Sequence, residues 1–272
     1  PISIGLSKVL AVSDKKLPTF QNTIKEIAMQ NLQNKKVLIG IPCASGMMSA
    51  YVVDGLFKLQ RPCPVSLLII ERQAADAARN YMIETAIKLG VDYLFFADDD
   101  GVLPADALVK LLEDDKDIVA APMMTRNVRD DGKHGLCVFE KYDFYIGDGK
   151  SVAKYRQAKL EQGTDLLNGH LRSVDAIGGA CMLIKKDCFT ALYAKHNGRP
   201  FEYIHEVHET KEHGVTLRNI SEDMTFSERA KQEGFDIFVD LRIRPVHLGK
   251  PKFVRFEIEG EELPSLKEPL KG

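Results

Sequence analysis

Three consecutive carboxylates, Asp98, Asp99 and Asp100, directly follow the apolar residues 93–97. Adjacent carboxylates repel one another unless water or a cation relieves the repulsion. Their oxygen atoms suit Mg²⁺ or Mn²⁺, which commonly shares its shell with the phosphates of a substrate. Because alternate side chains of an extended segment point the same way, Asp98 and Asp100 are expected to face one metal and Asp99 to point elsewhere. Taken alone, the triplet fits a solvated acidic loop equally well.

Two other short motifs lie where a ligand-binding or catalytic site could form. Gly178 and Gly179 interrupt an apolar run over residues 174–184, and glycine there permits either the close approach of a ligand or a simple bulge. Glu222 and Asp223 stand at the predicted start of a helix. Acidic side chains in a first turn stabilise a helix through its dipole, without any catalysis. From the residues alone, that structural interpretation is the favoured one.

The elements that would position these residues alternate between strands and helices. Compact apolar, β-branched runs predict buried strands, and runs with helical spacing predict the helices between them. Gly90 is expected to end one helix and Pro104 to open the next. Strands are predicted at 36–41, 65–70, 92–97, 117–121, 174–184 and 235–240, and helices at 18–33, 47–60, 74–89, 104–112, 187–194 and 221–233. This alternation is typical of a doubly wound α/β sheet, whose ligands bind at the carboxyl ends of the strands.

Two stretches depart from this alternation. Residues 127–171 are polar, with several turn signals and one candidate hairpin strand at 138–146, and we predict an insertion resting on the edge of the sheet. The segment containing His205, His208 and His213 is predicted to be a mobile loop before Glu222. It lacks the H-E-x-x-H spacing of a zinc protease, so that class is rejected.

From about residue 37 to residue 249 the chain resembles glycosyltransferases of the GT-A fold, especially the broad family 2-like group. Three blocks carry the resemblance in the expected order, although each is weak alone. They are residues 78–80 (ARN) with 92–100 (DYLFFADDD), residues 174–184 (VDAIGGACMLI), and residues 221–226 (SEDMTF) with 234–240 (GFDIFVD) and 247–249 (HLG). The resemblance implies a mostly parallel, twisted sheet flanked by helices. It also implies a helical lead-in at 1–36, a GT-A catalytic domain at 37–250 and a tail at 251–272.

The resemblance implies transfer of a sugar from a nucleoside diphosphate-sugar to an acceptor hydroxyl, with Mn²⁺ or Mg²⁺. It assigns Asp98 and Asp100 to the metal. His247 matches a late histidine of these enzymes that completes the metal shell, and an imidazole suits Mn²⁺ better than Mg²⁺; the alternative is a structural histidine. Asp223, with Glu222 as alternate, matches the acidic pair that supplies the base of an inverting reaction.

The same resemblance implies the residues that bind the donor. Arg79 is expected near the diphosphate, where it either binds phosphate or pairs with the aspartates. UDP is the favoured nucleotide and GDP the next, whereas the acceptor stays open among a glycan, a lipid-linked sugar, a protein and a modified nucleic acid. The implied donor-binding positions are Pro42, Cys43, Ala44, Arg79, Asp98, Asp99, Gly178 and Gly179.

Two rival functions remain from the sequence. One is a nucleotidyltransferase, although the segment at 41–46 lacks the glycine-rich basic signature usual after the first strand of that class. The other is a non-catalytic module that binds a nucleotide or glycan.

Composition narrows the class of protein further. The net charge of −2 gives no basic field for nucleic acid. Five cysteines without a C-x-x-C pair suggest neither a disulfide framework nor a zinc ribbon. With no signal peptide or membrane span in the pattern, we expect a cytoplasmic protein of undetermined oligomeric state.

Overall fold

The computed structural model describes residues 32–128, 134–147, 150–158, 170–210, 214–248 and 253–255. The predicted helix at 18–33 and the predicted tail therefore lie almost entirely outside the described residues. Helices are α1 (Ala50–Lys58), α2 (Ala75–Leu89), α3 (Ala107–Asp114), α4 (Lys186–Lys195) and α5 (Glu222–Gln232). Strands are β1 (Val37–Cys43), β2 (Val65–Glu71), β3 (Tyr93–Ala97), β4 (Gly101–Val102), β5 (Ile118–Ala120), β6 (Met124–Val128), β7 (His134–Leu136), β8 (Val138–Gly147), β9 (Lys150–Gln157), β10 (Leu171–Val174), β11 (Ala176–Ile177), β12 (Cys181–Lys185), β13 (Ile204–Thr210), β14 (Gly214–Ile220), β15 (Ile237–Asp240), β16 (Val246–Leu248) and β17 (Phe253–Arg255).

A central sheet of seven strands has the order β10-β15-β5-β12-β3-β1-β2. The pairs β1·β2, β1·β3 and β5·β15 are parallel. Strand β12 runs antiparallel to both β3 and β5, and β10 runs antiparallel to β15. Five strands therefore point one way, which confirms the predicted α/β class with a mostly parallel sheet flanked by helices.

Alternate residues of the central strands enter two separate hydrophobic clusters. Leu38 and Phe96 pack with the buried face of α2, whereas Ile39 and Phe95 pack with the buried face of α3. This alternation follows from the two-residue period of a strand. Because β1 and β3 are buried on both faces, side-chain packing holds their backbones in place. The residues at their carboxyl ends are therefore held at defined positions.

The helix boundaries agree closely with the capping signals. Helix α2 ends at Gly90, which adopts a left-handed conformation with φ of 62°, as predicted. Helix α3 begins at Ala107 rather than at Pro104, because a turn closed by the Ala107 amide and the Pro104 carbonyl at 3.0 Å comes first. Among the described residues, no helix combines the length and the apolar character needed to cross a bilayer.

Smaller sheets surround the carboxyl edge of the central sheet. They are β11-β8-β9, β17-β16-β4 and the hairpins β6-β7 and β13-β14. The prediction of a loop before Glu222 was wrong, because residues 204–210 and 214–220 form the paired strands β13 and β14. Spaced β-branched residues such as Ile204, Val207 and Ile220 support strands there, but the many polar residues between them hid the pattern. The predicted insertion at 127–171 contains β7, β8 and β9.

Candidate active site

A cavity of about 220 Å³ lies at the carboxyl edge of the central sheet. Cys43, one of the predicted positions, is 2% exposed at the end of β1 and does not line the cavity; its thiol donates to the Met47 carbonyl at 3.6 Å instead. All the other predicted site residues line it, namely Pro42, Ala44, Arg79, Asp98, Asp99, Asp100, Gly178, Gly179, Glu222, Asp223 and His247.

The antiparallel strand β12 explains why the glycine pair reaches the acidic triplet. Cys181, its first residue, lies opposite Ala97, the last residue of β3, and the Asp98 amide donates to the Ala180 carbonyl at 3.1 Å. A Cβ atom on Gly179 would lie 2.8 Å from the guanidinium of Arg79. Glycine is therefore required at 179 for the approach of a side chain of the same protein.

Arg79 lies on α2, is 3% exposed and bridges two parts of the site. Its Nη2 donates to Asp98 Oδ1 at 2.7 Å, and its Nη1 donates to Glu222 Oε1. The guanidinium also lies over the rings of Phe96 and Phe201, 5.7 and 5.8 Å from their centroids. Burial opposes its charge, but the two carboxylates outweigh burial and raise the pKa of Arg79. Of the two expected roles, this geometry supports pairing with the aspartates.

The acidic triplet forms a turn, in which the Gly101 amide donates to the Asp98 carbonyl at 3.2 Å. The expectation of an extended segment was therefore wrong, and the three carboxylates face three different partners. Asp98 faces Arg79, Asp99 accepts from Ser45 Oγ at 3.5 Å, and Asp100 faces His247. Burial raises the pKa of Asp98 against the opposing effect of Arg79, and burial also raises the pKa of Asp99.

The contacts of His247 show which of its two ring nitrogens could bind a metal. The register of β16 against β4 places it beside Gly101, and its Nδ1 lies 2.6 Å from the Met124 carbonyl oxygen. A carbonyl only accepts, so Nδ1 carries a proton, and Nε2 lies 3.3 Å from Asp100 Oδ2. With a second proton on Nε2 the contact is an ion pair, and without it Nε2 has a lone pair of the kind that metals bind. Metal-binding histidines are oriented through their other ring nitrogen in this way. The ligand types of Asp98, Asp100 and His247 therefore suit Mn²⁺ or Mg²⁺, whereas in the described structure their ligand atoms do not all lie within 4.8 Å of one another.

Glu222 and Asp223 differ in what their carboxylates contact. Glu222 is buried, and it accepts a hydrogen bond from Arg79. Asp223 Oδ1 accepts hydrogen bonds from Ser221 Oγ and from the backbone amide of the next residue, Met224. Its Oδ2 lies 3.6 Å from the position that a Cβ atom on Gly178 would take. Asp223 thus presents one oxygen to the cavity, while Glu222 is committed to its neighbours.

Sequence reasoning missed several residues of the cavity wall. Cys137 packs against Gly178, and burial, together with Asp223 and Asp98, raises the pKa of its thiol to about 12. It follows the β7 strand in the predicted insertion, and no motif marks it. Ala75, Met123, Cys137 and Ala180 are the missed lining residues.

A second cavity of about 380 Å³ adjoins the first. The two share Ala44, Asp99 and Asp100, and the second extends past Ser45 and Met47. Together they form a continuous concave surface from the end of β1 to the start of α5.

Of the three histidines before Glu222, the structure describes the side chain of one. His205 is exposed, and its Nδ1 lies 2.7 Å from Asn219 Oδ1 in the hairpin. The side chains of His208 and His213 lie outside the described residues, so their expected roles stay predictions.

Another group of potential metal ligands lies away from the cavity. Single ligand atoms of Asp114, His170 and Asp240 lie within 4.8 Å of one another. The Nη2 atom of Arg242 lies 2.8 Å from Asp114 Oδ1 and 2.7 Å from Asp240 Oδ2, so a cation of the protein itself occupies this position. Burial and the Asp240 charge nevertheless raise the pKa of Asp114 to about 8.

A further cavity of about 580 Å³ is at the opposite edge of the sheet. It lies beside Tyr93 at the start of β3, and pairs such as Lys185 with Asp115, 2.7 Å apart, neutralise its lining. Because it holds none of the motifs that carry chemistry, we assign the candidate site to the smaller cavity.

Comparisons with known proteins give structural similarity alone. No family model matches the chain, and no curated protein is significantly similar in sequence. A197 from STIV is 13% identical with a TM-score of 0.47, over 85% of this chain and 98% of that chain. The nucleoside-diphosphate-sugar pyrophosphorylase from Vibrio cholerae RC9 is 11% identical with a TM-score of 0.32, over 80% and 77% of the two chains. A UDP-glucose pyrophosphorylase complexed with UDP-glucose is 7% identical with a TM-score of 0.38, over 82% and 92%.

Proposed function

We propose that this protein is a metal-dependent glycosyltransferase that moves a sugar from a nucleoside diphosphate-sugar to an acceptor hydroxyl. UDP is the favoured nucleotide and GDP the next. One observation carries the proposal: Asp98, Asp100 and His247, whose oxygen and nitrogen atoms are ligand types that suit Mn²⁺ or Mg²⁺, line a single cavity with the carboxylate of Asp223.

Each residue has a distinct task in this proposal. Asp98, Asp100 and His247 would hold the metal, which when bound neutralises the charge that develops on a departing nucleoside diphosphate. Arg79 holds the carboxylates of Asp98 and Glu222 in place through its two ion pairs. The cavity past Ala44 offers room for the nucleoside.

Asp223 would act as the base if the reaction inverts configuration. The acceptor oxygen forms a bond to the anomeric carbon as the bond from that carbon to the diphosphate oxygen breaks. The hydroxyl proton passes to Asp223 Oδ2, and the electron pair of the broken bond leaves with the diphosphate. A positioned carboxylate of this kind contributes about 10²–10⁴-fold in rate.

The lining of the cavity disfavours the nucleotidyltransferase alternative. Among the described residues that line it, Arg79 is the one lysine or arginine, and its guanidinium is already paired with Asp98 and Glu222. A nucleoside triphosphate carries more charge than a diphosphate-sugar and would need further cations. The neutral segment after β1 supplies none.

Calorimetric titration of UDP, GDP, CDP and ADP, each with Mn²⁺ and again with EDTA, tests the proposal. Binding of one diphosphate only with the metal is expected, and a donor-sugar panel for that nucleotide then tests for cleavage and transfer. Release of pyrophosphate from a nucleoside triphosphate and a sugar phosphate would favour the nucleotidyltransferase. Metal-dependent binding without donor cleavage or transfer would favour the non-catalytic module.

A further inference from the structure

Ser221 immediately precedes helix α5, but its side chain does not cap that helix. A serine at this position usually accepts a hydrogen bond from an amide of the first turn. The Ser221 backbone is extended as such a cap requires, with φ of −70° and ψ of 160°, yet no amide of the described helix donates to its side chain. The hydroxyl donates instead to Oδ1 of Asp223, the proposed base. The side chain that would stabilise the helix end is therefore used on the carboxylate.

Both hydrogen bonds that the described residues give to the Asp223 carboxylate end on the same oxygen. The Ser221 hydroxyl and the Met224 amide donate to Oδ1, the amide at 2.8 Å. The other oxygen, Oδ2, lies 3.6 Å from the position that a Cβ atom on Gly178 would take, and Gly178 and Asp223 both line the candidate cavity. Two donors on Oδ1 thus leave Oδ2 as the oxygen available to a bound molecule.

Contacts of other residues hold the backbone of Asp223. The Ser227 hydroxyl donates to the Asp223 carbonyl at 2.8 Å and accepts from the Ile177 amide at 3.3 Å, which ties this turn of α5 to β11. Phe226, in the same turn, is 0% exposed and belongs to the hydrophobic core. Because none of these contacts uses the Ser221 hydroxyl, its removal should leave α5 in place and release only the carboxylate of Asp223.

Ser221 does not line the candidate cavity, whereas Glu222 and Asp223 do. The hydroxyl of Ser221 therefore reaches the site through its hydrogen bond to Asp223 and not through contact with a substrate. A general base works only when its oxygen lies within hydrogen-bond reach of the proton that it accepts. Hydrogen bonds from residues behind the reacting group are a common means of holding it in such an orientation.

We propose that Ser221 is a positioning residue, whose hydroxyl anchors Oδ1 of Asp223 so that Oδ2 points toward the acceptor. This inference rests on the proposed function and adds to it a residue that lies outside the cavity. During transfer the acceptor proton passes to Oδ2, while the hydrogen bond from Ser221 to Oδ1 stays in place. The alternative is a structural role alone, in which Ser221 and Asp223 only stabilise the start of the helix.

Steady-state release of nucleoside diphosphate separates these two roles. UDP-glucose, UDP-galactose, UDP-N-acetylglucosamine and GDP-mannose are each given to the full chain with Mn²⁺, with water and methyl β-D-glucopyranoside as acceptors. Ser221→Ala removes the hydroxyl and Ser221→Thr keeps it, and both are also made in the Asp223→Asn background. Thr225→Val is the matched control, because the Thr225 hydroxyl lies in the same turn but donates to the Ser221 carbonyl at 3.1 Å and not to a carboxylate.

We expect Ser221→Ala to lower kcat about 10–100-fold and to change the donor KM less than about twofold, because a misdirected base slows the chemical step without weakening binding. Ser221→Thr should keep kcat within about threefold of the wild type, since its hydroxyl can donate in the same way. Thr225→Val should leave kcat unchanged. In the Asp223→Asn background Ser221→Ala should cause no further loss, because residues that act through one another are not additive.

Three results would overturn the positioning role while leaving the proposed function intact. They are an unchanged kcat in Ser221→Ala, an equal loss in Ser221→Ala and Ser221→Thr, and a further loss when Ser221→Ala is added to Asp223→Asn. A lower thermal midpoint of Ser221→Ala with an unchanged kcat would assign the serine to the helix alone. If the wild-type chain releases no diphosphate from any donor and binds none with Mn²⁺, the proposed function fails, and the positioning role fails with it.

Discussion

The Nε2 atom of His247 faces Oδ2 of Asp100 at 3.3 Å, while Nδ1 of the same ring is held 2.6 Å from the Met124 carbonyl oxygen. Two residues far apart in sequence thus bring an imidazole nitrogen and a carboxylate oxygen together. A divalent cation would satisfy both groups at once.

Removal of either partner should abolish or weaken metal-dependent nucleotide binding. We expect Asp100→Ala to abolish it and His247→Ala to weaken it about 10–100-fold, because the ligand set is broken. Calorimetry with and without Mn²⁺ measures the effect, and circular dichroism checks the fold. Asp54→Ala is the control, since Asp54 pairs with Lys58 on an exposed helix face. Wild-type affinity in Asp100→Ala would remove the metal assignment.

Asp223→Asn should separate binding from chemistry. The amide cannot accept the acceptor proton, so transfer should fall about 10²–10⁴-fold while nucleotide affinity is kept. Glu222→Gln should instead lower the free energy of unfolding by about 1–3 kcal/mol, because it weakens the buried contact with Arg79. Single-turnover transfer and urea denaturation measure the two effects. Full transfer by Asp223→Asn would rule out its role as base.

Arg79→Met should destabilise the fold strongly. It leaves Asp98 and Glu222 partly buried without their counter-ion, and breaking a buried pair in this way costs about 3–5 kcal/mol. The matched control is Arg156→Met, which removes an exposed pair with Glu140 at 3.3 Å and should cost less than about 1 kcal/mol. Urea denaturation measures both. Equal effects in the two variants would show that Arg79 does not stabilise the site.

Gly179→Ala should disturb the same arginine from the opposite side. Its new methyl group would lie 2.8 Å from the Arg79 guanidinium, and such overpacking costs about 1–3 kcal/mol. Gly55→Ala is the control, because its nearest contact is an ordinary 3.4 Å to Val102 and alanine favours a helix. Thermal unfolding should show a lower midpoint for Gly179→Ala and an unchanged or higher one for Gly55→Ala. An unchanged midpoint in Gly179→Ala would contradict the close approach.

Asp114 should make stability depend on pH. Burial and the Asp240 charge raise its folded pKa from the ordinary 3.8 to about 8, so between these values the folded chain holds more protons than the unfolded chain. Stability should therefore fall as pH rises through this window. Asp114→Asn mimics the protonated carboxyl and should be more stable than the wild type at pH 9, by about 1–3 kcal/mol, with little difference at pH 5.

Denaturation curves at the two pH values measure this difference. The control is Asp236→Asn, since Asp236 is exposed and pairs only with Lys231 in the described part of the chain. A constant difference between Asp114→Asn and the wild type across the range would mean that Asp114 is ionised in the folded state.

Local sequence determined the strands, the helices and the fold class of this protein. The apolar runs that became β1, β3 and β5 are buried on both faces, and hydrophobic periodicity reports burial directly. Sequence position also placed Asp98 and Asp100 at the carboxyl end of a strand, which is where α/β sheets bind ligands. A strand such as β13, where polar and charged residues together outnumber apolar ones, gave no such signal.

Tertiary structure alone decided how the site residues pair. The sequence allowed Arg79 to contact either phosphate or the aspartates. Only the tertiary arrangement of α2, the residue after β3 and the start of α5 puts its buried guanidinium between Asp98 and Glu222. Likewise, the presence of Glu222 and Asp223 in one helix turn could not show which one faces the cavity. These outcomes depend on contacts between residues as many as 143 positions apart, and no local pattern in a single sequence records such contacts.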